Sequence, residues 1–100
     1  MKEVRTPRMI DKSSAIDLVS KKLAEMAPVG EVWIVIPEQT IEKPFGWVLY
    51  YNSKEFVETG DFIHRLAGNG PVIVEKRSGA MRFFGSSQSL EEISGFYAHY

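Results

Sequence analysis

The clearest structural signal in the sequence is a pair of short apolar runs joined by a tight turn. Residues 71–75 (PVIVE) and 80–84 (AMRFF) are separated by the four residues KRSG. β-Branched and aromatic residues favour extended backbone, and Gly79 suits the left-handed conformation that such turns require. The pattern therefore predicts a β-hairpin, so the chain must build at least part of its core on an antiparallel sheet.

Two further runs predict strands earlier in the chain. Residues 31–36 are nearly all apolar and β-branched and end at Pro37, which is typical of a strand covered on both faces. After a polar loop that extends to Pro44, the aromatic-rich residues 45–51 predict a second strand that pairs with the first. Gly46, inside this second run, indicates a β-bulge.

Helices are predicted near both ends of the chain. Asp11 can cap a helix whose apolar residues recur at three- and four-residue spacing, and Pro28 ends that helix near Ala27. The residues on its apolar face are Ala15, Ile16, Val19, Leu23 and Met26. Ser89 can cap a second helix, with Leu90, Ile93 and Tyr97 on one face.

The remaining segment, residues 53–70, combines apolar residues at helical spacing with three interrupting glycines. We interpret it as an ordered loop with helical turns. The order helix, two strands, irregular segment, two strands and helix predicts an α+β fold, with an antiparallel sheet of about four strands and both helices packed on one face. Its 100 residues correspond to one domain, and we expect residues 1–9 to be a flexible or loosely docked lead-in.

Composition excludes several classes of function. The formal net charge of −1 provides no positive field for nucleic acid, and no run approaches the ~18 apolar residues of a membrane helix. With no cysteine there is no disulfide, thiolate nucleophile or Cys-based zinc site, which fits a cytoplasmic protein.

No motif for catalysis or for a cofactor is present. His64 and His99 are too few for a metal triad, and Ser86, Ser87 and Ser89 lack the G-x-S-x-G pattern of hydrolases. We therefore expect neither a metal nor another cofactor, and no enzyme activity. In the turn at residues 67–71, which lacks the Lys of a P-loop, Asn69 between two glycines leaves one alternative open: a backbone cradle for an anion.

Charge is unevenly distributed along the chain. Residues 1–30 hold six basic and four acidic groups, residues 31–61 hold two and six, and residues 62–100 hold four and three. In the acidic middle third, Glu55, Glu58 and Asp61 share a face if their segment is helical. They form either an ordinary solvated face or a docking surface for a basic protein.

Aromatic residues provide a second set of candidate contacts. Trp33, Trp47, Tyr50 and Tyr51 lie on predicted strands, where side chains alternate between faces, so some should be core residues and others exposed. Exposed Trp and Tyr are favoured anchors in protein interfaces.

The central segment, residues 46–61 (GWVLYYNSKEFVETGD), resembles the signature of the immunity protein 35 family, which includes a YrhB-like branch. The motifs LAGNGP at 66–71, VIV at 72–74, SG at 78–79, GSS at 85–87 and LEE at 90–92 are similar to later family positions and follow in the same order. Together they cover residues 46–92, and the first helix agrees in pattern only.

The resemblance implies a non-catalytic bacterial protein that binds the cognate toxin domain of a polymorphic toxin system and neutralises it by occlusion. For the YrhB-like branch it also implies an alternative, a chaperone-like role in holding unfolded clients. It predicts no particular oligomeric state and supplies no catalytic residues. Our candidate contacts are Glu55, Glu58, Asp61, Trp47, Tyr51 and Asn69.

Overall fold

The computed structural model describes residues 9–98 of the chain. In this range it contains three α-helices and six β-strands, with short 3₁₀ turns at Pro37–Gln39 and Phe62–His64. The elements are α1 (Lys12–Met26), β1 (Trp33–Val35), β2 (Ile41–Lys43), β3 (Gly46–Leu49), β4 (Tyr51–Ser53), α2 (Lys54–Thr59), β5 (Asn69–Glu75), β6 (Met81–Gly85) and α3 (Leu90–Gly95). The predicted α+β class is confirmed.

The strands form two antiparallel sheets. Four of them pair in the order β2–β3–β5–β6, and β1 pairs with β4 in a separate two-stranded sheet. The predicted hairpin is confirmed as β5 and β6, with Ile73 opposite Arg82. At its turn Gly79 has a φ of 74°, the left-handed value that the turn requires.

The predicted second strand differs from the structure, because it divides at Tyr50 into β3 and β4. Only β4 pairs with the first strand, where Val35 lies opposite Tyr51. β3 pairs instead with β2, which occupies part of the predicted polar loop and places Ile41 opposite Val48. One continuous run of sequence therefore contributes to both sheets.

Gly46 permits a close approach between strands and does not mark a bulge. It lies in regular register with Glu75 of β5. A Cβ atom added to Gly46 would lie only 2.2 Å from the carbonyl oxygen of Val74. The irregularity in the sheet lies elsewhere, between Asn69 and Val72 of β5.

The two terminal helices pack on opposite faces of the four-stranded sheet, which corrects the prediction that they share one face. Ala15, Val19 and Leu23 of α1 pack against Leu49, Val72 and Val74. Ile93 of α3 packs against Phe45, Val48 and Ile73. Side chains alternate along a strand, so Val72 and Val74 face α1 while Ile73 faces α3. The sheet therefore has a core on each face.

Both helices begin as the sequence predicts. The Asp11 carboxylate accepts a hydrogen bond from the Ser14 backbone N–H at 2.8 Å, and α1 ends at Met26 with Ala27 as its C-cap. Ser89 and Glu92 form a capping box at the start of α3. The predicted lead-in lies outside the described residues except for Met9, which is exposed.

Candidate functional site

The central signature continues from β4 into an exposed segment, residues 54–65, which we call the 54–65 surface. The Ser53 side chain caps α2 by accepting a hydrogen bond from the Phe56 N–H at 3.1 Å. Gly60, at a φ of 73°, ends the helix, and Asp61 then caps the 3₁₀ turn by accepting from the Ile63 N–H at 3.2 Å. The helical turns predicted for this segment are confirmed.

Two buried polar residues of β4 attach this surface to the two-stranded sheet. The Asn52 side-chain oxygen accepts hydrogen bonds from the backbone N–H groups of Ser53 and Leu66, both at 2.9 Å. The Ser53 hydroxyl donates to the carbonyl oxygen of His64 at 2.5 Å. Because neither α2 nor the 3₁₀ turn buries a side chain fully, these hydrogen bonds are central to holding the segment in place.

The three predicted acidic residues lie on this surface. Glu55, Glu58 and Asp61 are all exposed, and the first two are three residues apart on α2. The Glu55 carboxylate is 3.7 Å from Nδ1 of His64, a pairing that requires a protonated imidazole. These carboxylates can attract a basic partner.

Exposed apolar side chains lie next to the carboxylates, a feature that our sequence interpretation did not identify. Phe62 is 74% exposed and Ile63 is 80% exposed. The ring of Phe62 lies beside that of Phe56, with 5.8 Å between centroids. Large apolar side chains surrounded by polar residues are typical of protein-binding surfaces.

A groove of about 400 Å³ opens beside this surface, where the chain passes from β3 to β4. It is lined by Ile36, Tyr50, Tyr51, Phe56 and Phe62 and by the polar residues Gln39, Asn52, Arg65 and Asn69, so the candidate contacts Tyr51 and Asn69 also lie against it. The groove therefore joins the 3₁₀ turn at Pro37–Gln39 to the 54–65 surface.

The structure places the other candidate contacts mainly in structural roles. The Trp47 indole N–H donates to the Ile10 carbonyl oxygen at 2.8 Å, and the Lys76 ammonium lies 5.2 Å from the indole ring centroid. Tyr51 is 8% exposed and packs in the core, and its burial raises the pKa of its phenol. These two residues therefore offer a partner less surface than Phe62 does.

Asn69 fixes the start of β5. Its side-chain N–H donates to the Tyr51 carbonyl oxygen at 2.8 Å. The neighbouring Gly70 lies against β6, where an added Cβ would be 2.3 Å from the carbonyl oxygen of Gly85. The glycine turn therefore lies against the end of β6, and the alternative of an anion cradle stays a prediction.

The other chemical candidates are also placed by the structure. In residues 9–98, no three His, Asp or Glu side chains are grouped so that they could hold a metal ion. His64 is exposed and lies 3.7 Å from the Glu55 carboxylate, Ser89 caps α3, and His99 lies outside the described residues. Over the same range, none of the helices has the length and apolar character needed to cross a membrane.

Two comparisons with known proteins found similar sequences. The uncharacterized protein YrhB of Escherichia coli (strain K12) is 47% identical over 47 residues, which are 47% of this chain and 50% of that protein. The chain thus spans about half the length of the curated relative it matches. No solved structure matches it. A family model, Immunity protein 35, matches residues 13–93, which run from the second residue of α1 to the buried Ile93 of α3. The chain belongs to the immunity protein 35 family.

Proposed function

We propose that the chain is an immunity protein that binds the cognate toxin domain of a polymorphic toxin system and neutralises it by covering its active site. Membership of the immunity protein 35 family supports the class of function. The observation that carries the choice of surface is the combination of Phe62 and Ile63, both largely exposed, with the carboxylates of Glu55, Glu58 and Asp61.

This surface has the two properties that such binding requires. Burial of exposed aromatic side chains against a partner makes the free energy of binding more favourable. Such side chains often dominate the affinity of an interface. Carboxylates around them accelerate encounter with a basic protein and disfavour acidic ones. Occlusion needs no catalytic residue and no cofactor from the immunity protein.

The chain is large enough for a tight complex. Stable interfaces bury about 1,200–2,000 Å² in total, so each partner contributes about 600–1,000 Å². The accessible surface of this protein is 7059 Å². An interface centred on the 54–65 surface therefore needs only a minor part of the molecule, and the sheet and its two cores remain unchanged.

Affinity capture followed by growth rescue tests this function. The tagged protein is used to recover partners from a lysate of its source cells, with washes at low and high salt, and any toxin-like domain is then expressed with and without it. We expect one dominant, salt-sensitive partner whose toxicity is suppressed by coexpression. A toxin domain that is recovered but remains fully toxic would contradict neutralisation.

The exposed apolar residues also support a second candidate, a chaperone-like protein that holds unfolded clients. Phe62 and Ile63 could contact many apolar segments without a fixed geometry. Light scattering from a heat-denatured enzyme separates the two functions. Suppression of scattering by the wild type, lost in Phe62→Ala, would favour the chaperone. Undiminished scattering at excess protein would remove that candidate.

A further inference from the structure

We propose that the groove beside the 54–65 surface receives one large uncharged side chain from the tip of a basic loop of the partner. This inference rests on the proposed function and specifies the part of the toxin domain that docks. It follows from three properties of the groove, which are its size, the chemistry of its lining and the charges on its two sides.

The size and floor of the groove fit a single apolar side chain. Its volume of about 400 Å³ lies near the lower end of the range of about 300–1,000 Å³ for binding pockets. The apolar part of its lining is supplied by Ile36, Tyr50, Tyr51, Phe56 and Phe62, and the polar part by Gln39, Asn52, Arg65 and Asn69. An inserted Trp, Phe or Leu would gain hydrophobic and ring contacts there.

The polar part of the lining favours an inserted side chain without a positive charge. Arg65 is one of the residues that line the groove, and its positive charge would repel an inserted Lys or Arg. Arg65 and Gln39 can also donate hydrogen bonds to backbone carbonyl oxygens of the loop that carries the inserted side chain. The positive charges of the loop must therefore lie outside the groove.

Acidic residues that can attract the positive charges of the loop lie on both sides of the groove. Glu38 lies on the turn at Pro37–Gln39, and Glu55, Glu58 and Asp61 lie on the 54–65 surface. Residues 37–39 and 54–65 together contain these four carboxylates and two cationic groups, Lys54 and Arg65. Their formal net charge is −2 with His64 neutral.

The opposite end of the four-stranded sheet has a formal net charge of the opposite sign. It contains three cationic residues, Lys43, Lys76 and Arg77, and two acidic ones, Glu42 and Glu75, which give a net charge of +1. A basic loop is therefore attracted to the end of the molecule that contains the groove and repelled from the other end.

Short synthetic peptides test this assignment without the toxin. Three peptides are compared by two-dimensional NMR titration of the isotope-labelled protein: a central Trp flanked by Lys, the same Trp flanked by Glu, and a central Ala flanked by Lys. We expect the first peptide to bind at least about tenfold more tightly than the others, with shifts concentrated at Tyr50, Phe56, Phe62 and Arg65. Equal binding of all three, no binding, or shifts centred elsewhere would overturn the proposal.

Two phenylalanine variants supply the matched comparison. Phe62 lines the groove, whereas Phe96 is similarly exposed, at 63%, but stacks on Phe84 beside α3. Phe62→Ala should abolish binding of the Trp–Lys peptide, and Phe96→Ala should preserve it. Full toxin rescue by Phe62→Ala would overturn the groove assignment while leaving the immunity function intact. Failure of rescue by the wild type, with selective peptide binding retained, would instead reject the function.

Discussion

The side-chain oxygen of Asn52 accepts a hydrogen bond from the backbone N–H of Leu66 at 2.9 Å, across the whole length of the 54–65 surface. Asn52 is only 8% exposed and belongs to the segment that resembles the family signature. Its position explains why an asparagine is suited to this place in the chain. One amide oxygen joins β4 to the residue that directly follows the exposed segment.

Removal of this side chain should loosen the 54–65 surface. Asn52→Ala leaves the N–H groups of Ser53 and Leu66 without their acceptor, and an unsatisfied buried donor costs about 1–3 kcal/mol. Urea denaturation should show that loss, and hydrogen exchange should accelerate more at Leu66 than at Ile73 of the central strand. An unchanged unfolding midpoint together with unchanged exchange at Leu66 would contradict this role.

A methyl group at Gly46 should be much more harmful than one at Gly95. The Cβ of alanine at position 46 would lie 2.2 Å from a backbone oxygen of β5, so the sheet must shift. Gly46→Ala should therefore lower the free energy of unfolding by at least about 2 kcal/mol. Gly95, in α3, has no atom within 4 Å of an added Cβ. Gly95→Ala should be neutral or stabilising by up to about 1 kcal/mol, and equal destabilisation by the two variants would reject this explanation.

The cap of α1 should make stability depend on acidic pH. Hydrogen bonds from Ser14 lower the pKa of Asp11 below its ordinary value, so the unfolded chain takes up this proton first as the pH falls. The stabilising contribution is present above the unfolded-state pKa of about 3.9 and is lost as the pH falls through the lower folded-state pKa. Asp11→Asn keeps a capping oxygen but does not titrate. The stability difference between wild type and variant should therefore shrink between pH 6 and pH 3; a constant difference would contradict the prediction.

Tyr51 should produce the corresponding effect at alkaline pH. Burial raises the pKa of its phenol, so the unfolded chain releases this proton first as the pH rises. The wild type should retain its stability below about pH 10 and lose part of it as the pH rises through the folded-state pKa. Tyr51→Phe removes this titration and should show a smaller alkaline loss in thermal unfolding. Identical alkaline losses would show that Tyr51 does not contribute.

The sequence predicts elements well where one local signal decides the structure. Asp11 and Ser89 can each satisfy free N–H groups at a helix start, and Gly79 can adopt the left-handed turn conformation, so these features were predictable from single residues. The division at Tyr50 was not, because an aromatic run favours extended backbone on both sides of a bend. β2 was missed since its Ile-Glu-Lys sequence has little apolar character, and its pairing depends on β3.

The placement of the helices had a signal in the sequence that the interpretation did not use. Val72, Ile73 and Val74 are three consecutive apolar residues, a pattern typical of a strand that is covered on both faces. All three are fully buried in the structure. For the candidate site, the exposure of Glu55, Glu58 and Asp61 was predictable, because charged side chains rarely enter a core. Aromatic character did not separate Tyr51, which is buried, from Phe62, which is exposed, because the difference depends on tertiary packing.

The most direct test of the proposed function is calorimetric titration of the captured toxin domain with two charge-matched triple variants. Glu55→Gln/Glu58→Gln/Asp61→Asn and Asp17→Asn/Glu25→Gln/Glu91→Gln remove three exposed carboxylates each, and asparagine at position 61 retains a capping oxygen. Three interfacial charges at about 0.5 kcal/mol each correspond to roughly tenfold in affinity. We expect the first variant to bind about tenfold more weakly at low salt, with a smaller difference at high salt, and the second to bind like the wild type. Equal affinities for the two variants would contradict the assignment of the 54–65 surface as the toxin-binding site.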